Sequence, residues 1–392
     1  VGKHRILVST GEVSGDLQGS LLIEALQRRA IALGLELEIL ALGGDRIAKT
    51  GALLLGNTSA IGSIGILESI PYVLPTIRVQ RQVERYLRDY PPDLLVMIDY
   101  FGPNLKIGRY IRKHFPGVPT VYYIAPQEWV WSLSPSNTER ILSITDRLLA
   151  IFPEEARYYE KWGASVSYVG HPLVDRLPGT LNRDQARNQL GIAPEDIAIT
   201  LVPASRRQEL QYLLPVVFES ARRIQDKLPQ VQFWIPLSLD IYRSTLETAI
   251  QHYGLRATLV ADQTEVVLVA ADLAIAKSGT VNLELALLNV PQVVLYRVNP
   301  ITAWIARHVL KFSIPFMSPP NLALMECIVP EFLQEQATPE TITQSALELL
   351  LNSQKRQHML FNYQQMRQAL GEPGVCDRAA EEILQLLTRC YG

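Results

Sequence analysis

The six residues Gly11-Glu12-Val13-Ser14-Gly15-Asp16 follow an apolar run at 6–8 and precede a helical pattern that opens at Leu17. A strand, a glycine-bearing acidic turn and a helix N-terminus make a place for a polar ligand. Glycine permits close approaches that a Cβ would forbid, while Ser14 and Asp16 can either cap the helix or hold a substrate hydroxyl. Asp99 closes a second apolar run, 94–98, which carries its carboxylate to the rim of a sheet. There it can act as a base, or it can cap the turn before Pro103. Ser205-Arg206 follow the run 197–203, where an arginine fork can hold phosphate oxygens or lie idle on the surface. Ser278-Gly279-Thr280 open a helix whose first-turn amides form an anion site or an ordinary capped end.

Such groups need a scaffold that brings loop ends together, and the chain supplies alternating β-rich and helical patterns. Strands are expected at 6–10, 37–42, 94–99, 120–124, 148–151 and 167–169, with helices at 17–33, 77–89, 105–114, 137–144 and 154–162. After a polar stretch at 178–189 the alternation restarts, with strands at 197–203, 231–235, 258–260, 273–276 and 292–296. This is the pattern of doubly wound parallel sheets. It divides the chain into a Rossmann-like domain at 1–175 and a second one at 176–370. From Pro339 the pattern is helical, broken at Gly371-Glu372-Pro373-Gly374, so Cys376–Arg389, within 371–392, reads as a separate segment.

With 392 residues, two domains are expected. A formal net charge of −2 argues against a general nucleic-acid binder. No uninterrupted apolar run is long enough to cross a membrane, and the first residues enter a strand at once, so the expected compartment is the cytoplasm. Cys327, Cys376 and Cys390 lack metal-ligand spacing and read as free thiols.

Taken in order, GEVSGD with Gly19, GGD at 43–45, PPDLLVMID ending at Asp99, and YYIAPQEWVW at 122–131 form an ordered set. FPEE at 152–155, VGHPLVD at 169–175, PASRRQE at 203–209, SGTVNLE at 278–284, YRVNP at 296–300, and PPN at 319–321 leading to VPEFLQ at 329–334 continue it. In this order and spacing they resemble the lipid-A-disaccharide synthase family. The resemblance implies a GT-B fold: two Rossmann-like domains facing a cleft, the first holding the acceptor and the second a UDP-sugar, with a C-terminal helical segment crossing back. It implies transfer of 2,3-diacylglucosamine from its UDP derivative to 2,3-diacylglucosamine 1-phosphate, with inversion, giving a β-1,6 disaccharide and UDP without a cofactor or metal.

By the same match Asp99 is the base that takes the acceptor's proton, Glu12, Ser14 and Asp16 bind substrate, and Asn104 either caps the following helix or holds a sugar hydroxyl. Ser205, Arg206, Ser278, Gly279 and Thr280 would hold the diphosphate, Glu284 the donor's ribose or sugar hydroxyls, and Asn321 and Gln334 would line the donor site. The sequence departs from the family at Gly102, where an acid is usual in Asp-Ala-Pro-Asp-Phe-Asn, and at Leu324-Met325-Glu326, where Ala-Gly-Arg is common. His171 reads as a hinge, a diphosphate contact or a packed histidine.

A diacylated substrate requires an apolar, basic-rimmed surface against an anionic bilayer, which places the protein peripherally on the inner face of the inner membrane. Residues 61–77 and 300–316, the latter mixing Trp304, Ile305, Val309, Leu310 and Phe312 with Arg307, His308 and Lys311, are the expected contacts, or else core. Trp129 and Trp131 are either acyl contacts or core. Exchange of the C-terminal segment would make a homodimer. Two rival readings share the architecture: a UDP-N-acetylglucosamine 2-epimerase-like isomerase, and a non-catalytic lipid- or nucleotide-binding relative.

Overall fold

The computed structural model describes residues 3–58, 73–132, 134–176, 181–203, 207–237, 239–308 and 313–389, with the backbone alone at 12, 73–75, 207–208, 301 and 306. The chain parts into two compact units, Val1–Asp175 with Ala369–Gly392, and Arg176–Gln368. Each is built on one parallel sheet with helices between its strands.

In the first unit β1 (His4–Ser9), β2 (Leu37–Gly43), β3 (Leu53–Asn57), β4 (Leu94–Ile98), β5 (Thr120–Tyr123), β6 (Arg147–Ala150) and β7 (Val166–Tyr168) lie in the order β3-β2-β1-β4-β5-β6-β7. Ile6 of β1 is level with Ile39 on one side and Leu94 on the other. Central strands read as continuous apolar runs because helices cover both faces; all five residues of β4 are buried. The second unit holds β8 (Ile197–Val202), β9 (Val231–Leu237), β10 (Ala257–Ala261), β11 (Leu273–Lys277), β12 (Gln292–Tyr296) and β13 (Glu331–Leu333), ordered β10-β9-β8-β11-β12-β13.

The edge strands β3 and β13 go beyond the strands expected from the sequence. At an edge one face and one hydrogen-bonding side stay open, so β3 carries only half-buried or exposed residues and β13 is too short for a periodic signal. A further break falls at Asn352, between the helices Pro339–Leu351 and Ser353–Ala369. Its side chain accepts from the amides of Gln354 and Lys355, capping the second helix where the helical pattern of the sequence is continuous.

The last helix, Val375–Arg389, lies on Glu12–Ala32, with Arg28 paired to Asp377 and Arg29 to Glu381. Asp175 accepts from the amides of Gly374, Val375 and Cys376 at 2.6, 3.0 and 2.7 Å, fixing where that helix begins. A carboxylate among three helix-end donors both satisfies them and meets the positive end of the helix dipole. Among the described residues, no helix is long and apolar enough to cross a membrane.

Candidate functional site

In the first unit the strand order turns between β1 and β4, so the crevice beyond their C-terminal ends is the switch point at which open α/β sheets take ligands. Gly11–Asp16 follow β1 and Asp99–Asn104 follow β4. The fold therefore brings these two motifs to one place. Asp99 is exposed there, and its φ of 45° is followed by 51° at Tyr100, with 59° at Ile124 beyond β5. Left-handed backbone costs roughly 1–3 kcal/mol for a residue with a Cβ and is retained where surroundings enforce it, commonly at functional sites.

The enforcing bonds are explicit. The Asp99 amide donates to the Ile124 carbonyl at 2.9 Å. Its carbonyl accepts from Asn104 Nδ2 at 2.6 Å and from the Tyr122 hydroxyl at 2.9 Å. Burial, and then the Asp99 charge, raise the Tyr122 phenol well above its ordinary range, which keeps it a hydrogen-bond donor. A Cβ at Gly11 would come within 2.4 Å of the Tyr100 ring, so glycine there makes room for the residue that follows Asp99.

Two expected substrate ligands have another task. Asn104 is fully buried; its Nδ2 also donates to the Ile98 carbonyl at 3.0 Å and its Oδ1 accepts from Ser9 Oγ at 2.7 Å. Its amide donors are spent on the β4 end, so it positions Asp99 instead of holding a sugar hydroxyl. Asp16 is buried too, accepting from the amides of Gly44 at 2.6 Å, Arg46 at 3.0 Å and Ile47 at 3.2 Å. It satisfies the first amides of the short helix Asp45–Lys49. Ser14 is half-buried on the first turn of Glu12–Ala32, and the Glu12 side chain lies outside the described residues.

Glu155, given no role from the sequence, is buried at the start of Pro153–Lys161. One carboxylate oxygen accepts from Ala125 N at 3.0 Å, the other from Ile151 N at 2.8 Å and Phe152 N at 3.2 Å. It ties the segment after β5 to the end of β6. Burial pushes its carboxyl up to about 7, with the Asp99 charge adding to the rise. The available signal was its place in FPEE, an acid at the third position of a helix opened by proline. His171 is the packed histidine: buried, 5.3 Å from the Phe152 ring, its Nδ1 accepting from Leu173 N, and lowered by burial to about 3. Trp129 packs on Phe152 at 5.6 Å and belongs to the core.

In the second unit the order turns between β8 and β11. Ser205 and Arg206, after β8, lie outside the described residues. After β11, Ser278 turns its hydroxyl inward to the Met317 carbonyl at 3.1 Å, and Gly279 N donates to Asn282 Oδ1 at 2.7 Å. Thr280 and Val281 begin the helix Thr280–Leu287, so their amides are among the first-turn donors that take no partner within the helix. Beside them Lys277 Nζ bonds buried Glu209 at 2.9 Å, an ion pair that no single sequence motif marks. Glu284, half-buried on the same helix, pairs with Arg176 at 2.8 Å.

Asn321, expected at the donor site, is fully buried. Its Oδ1 accepts from the amides of Ile328 and Val329, and its Nδ2 donates to the Val329 carbonyl and to Glu331. It braces the turn before β13 and has no donor left for a ligand. Gln334 has a left-handed φ of 50° and accepts from Arg297 Nε through its carbonyl at 3.0 Å.

The family model for lipid-A-disaccharide synthetase matches residues 6–386. The chain belongs to the lipid-A-disaccharide synthase family. It is 59% identical to the lipid-A-disaccharide synthase of Gloeothece citriformis, over 97% of this chain and 99% of that one. It is 52% identical to that of Synechocystis sp., over 97% of each. A UDP-GlcNAc 2-epimerase from Neisseria meningitidis superposes with a TM-score of 0.63 at 12% identity, covering 99% of this chain and 100% of that one, a likeness of fold. As a member of the lipid-A-disaccharide synthase family this chain is a glycosyltransferase with the two Rossmann-like units of the GT-B class. At Gly102, where an acid was expected from the motif, a Cβ would meet nothing within 4 Å.

Proposed function

We propose that this protein moves 2,3-diacylglucosamine from its UDP derivative onto 2,3-diacylglucosamine 1-phosphate, with inversion, forming a β-1,6 disaccharide and UDP. The observation that carries the reading is the exposed Asp99 carboxylate on a left-handed turn fixed by Asn104 and Tyr122 at the switch point of the first unit. An acceptor hydroxyl delivered there loses its proton to Asp99 as its oxygen attacks the anomeric carbon. The bond from that carbon to the diphosphate breaks, and its electron pair leaves with UDP. Negative charge on the leaving group calls for fixed donors. The first-turn amides of Thr280 and Val281 and the guanidinium of Arg206 are assigned to it, with Glu284 on the donor's hydroxyls.

The acyl chains call for a membrane face, and the inner leaflet of the inner membrane is the reading adopted. Trp304 supports it, being 58% exposed on Pro300–His308 and stacked on His308 at 5.1 Å; residues 309–312 and 59–72 lie outside the described residues. The epimerase reading has only the shared fold behind it.

The test is incubation with both diacylated substrates in detergent micelles, following UDP and disaccharide by mass spectrometry, beside Asp99→Asn. Disaccharide from the natural chain and none from the variant is the expected result. UDP binding without disaccharide would move the search to another acceptor, and equal product from the variant would remove Asp99 as base.

A further inference from the structure

At the opposite end of the second sheet from Ser278–Thr280, before β11 and β12 begin, lies a pocket of about 310 Å³ edged by Arg183, Arg356, Arg367 and Asn289. A water molecule takes about 30 Å³, so the space suits an occupant larger than a bare phosphate. Arg356 and Arg367 are eleven residues apart on Ser353–Ala369, close to three whole turns, and so share one face about 16 Å apart. That helix, SQKRQHMLFNYQQMRQA, contains no acidic residue.

The cations here outnumber their counter-charges. Asp272 is shared by Arg183 and Arg187. Arg356 is partly buried and feels Asp272 favourably and Arg183 unfavourably, burial being the largest influence and lowering its pKa. Its side chain makes no hydrogen bond among the described residues, unlike the neighbouring arginines. Arg367 Nη2 donates to the Leu287 carbonyl at 2.6 Å and to Asn289 Oδ1 at 3.4 Å, while its buried Nε–H has no partner among the described residues. A half-buried guanidinium without an acceptor, as at Arg356, is costly, and a phosphate offers the matched, forked acceptor. Asp184, in the first turn of Arg183–Leu190, is the nearby acid in sequence and does not line the pocket.

We propose that this pocket binds a phosphate ester with a hydroxylated body, its phosphate on Arg356 and Arg183 and its body reaching toward Arg367. The site is separate from the nucleotide end of the sheet, being roughly the length of β11, about 16 Å, away from it. The same chemistry is offered by a soluble phosphate ester and by a phosphoglyceride headgroup, and the experiment has an arm for each.

The full-length protein, with UDP in excess, is titrated calorimetrically with sn-glycerol 3-phosphate, and separately with phosphatidylcholine vesicles with and without phosphatidylglycerol. Arg356→Gln is compared, since its loss breaks no side-chain bond. Binding of the soluble ester weakened roughly tenfold or more by the variant is expected if the ligand is free, from the usual worth of a charged hydrogen bond. A variant defect confined to phosphatidylglycerol vesicles supports the same pocket with a lipid headgroup. No binding in either arm, or binding that Arg356→Gln leaves unchanged, overturns the proposal. Unchanged UDP affinity in the variant separates this outcome from any fault in the nucleotide site.

Discussion

Asp99 and Asn104 are five residues apart and do different work, which makes them separable by measurement. Asp99→Asn keeps the turn's backbone bonds and should remove transfer while leaving the melting temperature nearly unchanged. Asn104→Ala leaves the carbonyls of Ile98 and Asp99 and the Ser9 hydroxyl short of partners in a buried setting. A buried group so orphaned costs about 1–3 kcal/mol, so this variant should lose stability as well as turnover, with UDP affinity unchanged. Equal stability of the two variants would show that Asn104 does not hold the turn. Gly102 lends itself to the opposite kind of change. It is the second residue of Phe101–His114, in open space, and an acid in a first turn is worth about 0.3–1 kcal/mol through the helix dipole. Gly102→Asp should therefore raise the melting temperature slightly; a fall would mean that glycine is required there for a reason beyond space.

At the scale of elements, the central strands were legible because strands covered on both faces are apolar along their length, as β4 and β11 are. Of the edge strands, β7 and β10 were legible while β3 and β13 were not, and the break at Asn352 was missed because one capping side chain leaves no periodic trace. The site was legible as motifs but not as roles: the sequence says that Asp16, Asn104 and Asn321 belong to polar turns, while only tertiary packing turns their side chains inward. Glu155 and His171, which both pack against the end of β6, give a prediction about pH. Glu155 is raised in the fold from 4.5 to about 7, so its contribution is full below pH 4.5 and lost as pH rises through 7. His171 is lowered from 6.5 to about 3, so its contribution is full above pH 6.5 and lost as pH falls toward 3. A tenfold change in proton affinity on folding corresponds to about 1.4 kcal/mol for either group, so between pH 4.5 and 6.5 the two slopes offset one another. The stability of the natural chain should be nearly level over that window and fall below it. In His171→Asn the Glu155 slope stands alone, and stability should decline as pH rises from 4.5 to 7. Parallel pH profiles for the two proteins would refute the assignment.

For the molecule as a whole, the consequence is that the two units should answer to different perturbations. The first unit is closed by its last helix, whose Ala379, Ile383, Leu384 and Leu387 are buried and whose start is held by Asp175. Asp175→Ala removes a carboxylate from three amides and should cost that unit about 1–3 kcal/mol. UDP, on the proposed function, binds the second unit, Arg176–Gln368. A ligand at one hundred times its dissociation constant stabilises the form it binds by about 2.7 kcal/mol. Scanning calorimetry of the full chain should show Asp175→Ala lowering one component of the unfolding profile and UDP raising another, with the two shifts adding in combination. If UDP instead raised the component that Asp175→Ala lowers, the nucleotide would have to be assigned to the first unit, and the first-turn amides at Thr280 and Val281 would lose their ligand. The measurement thus decides which of the two switch points holds the nucleotide without requiring either lipid substrate.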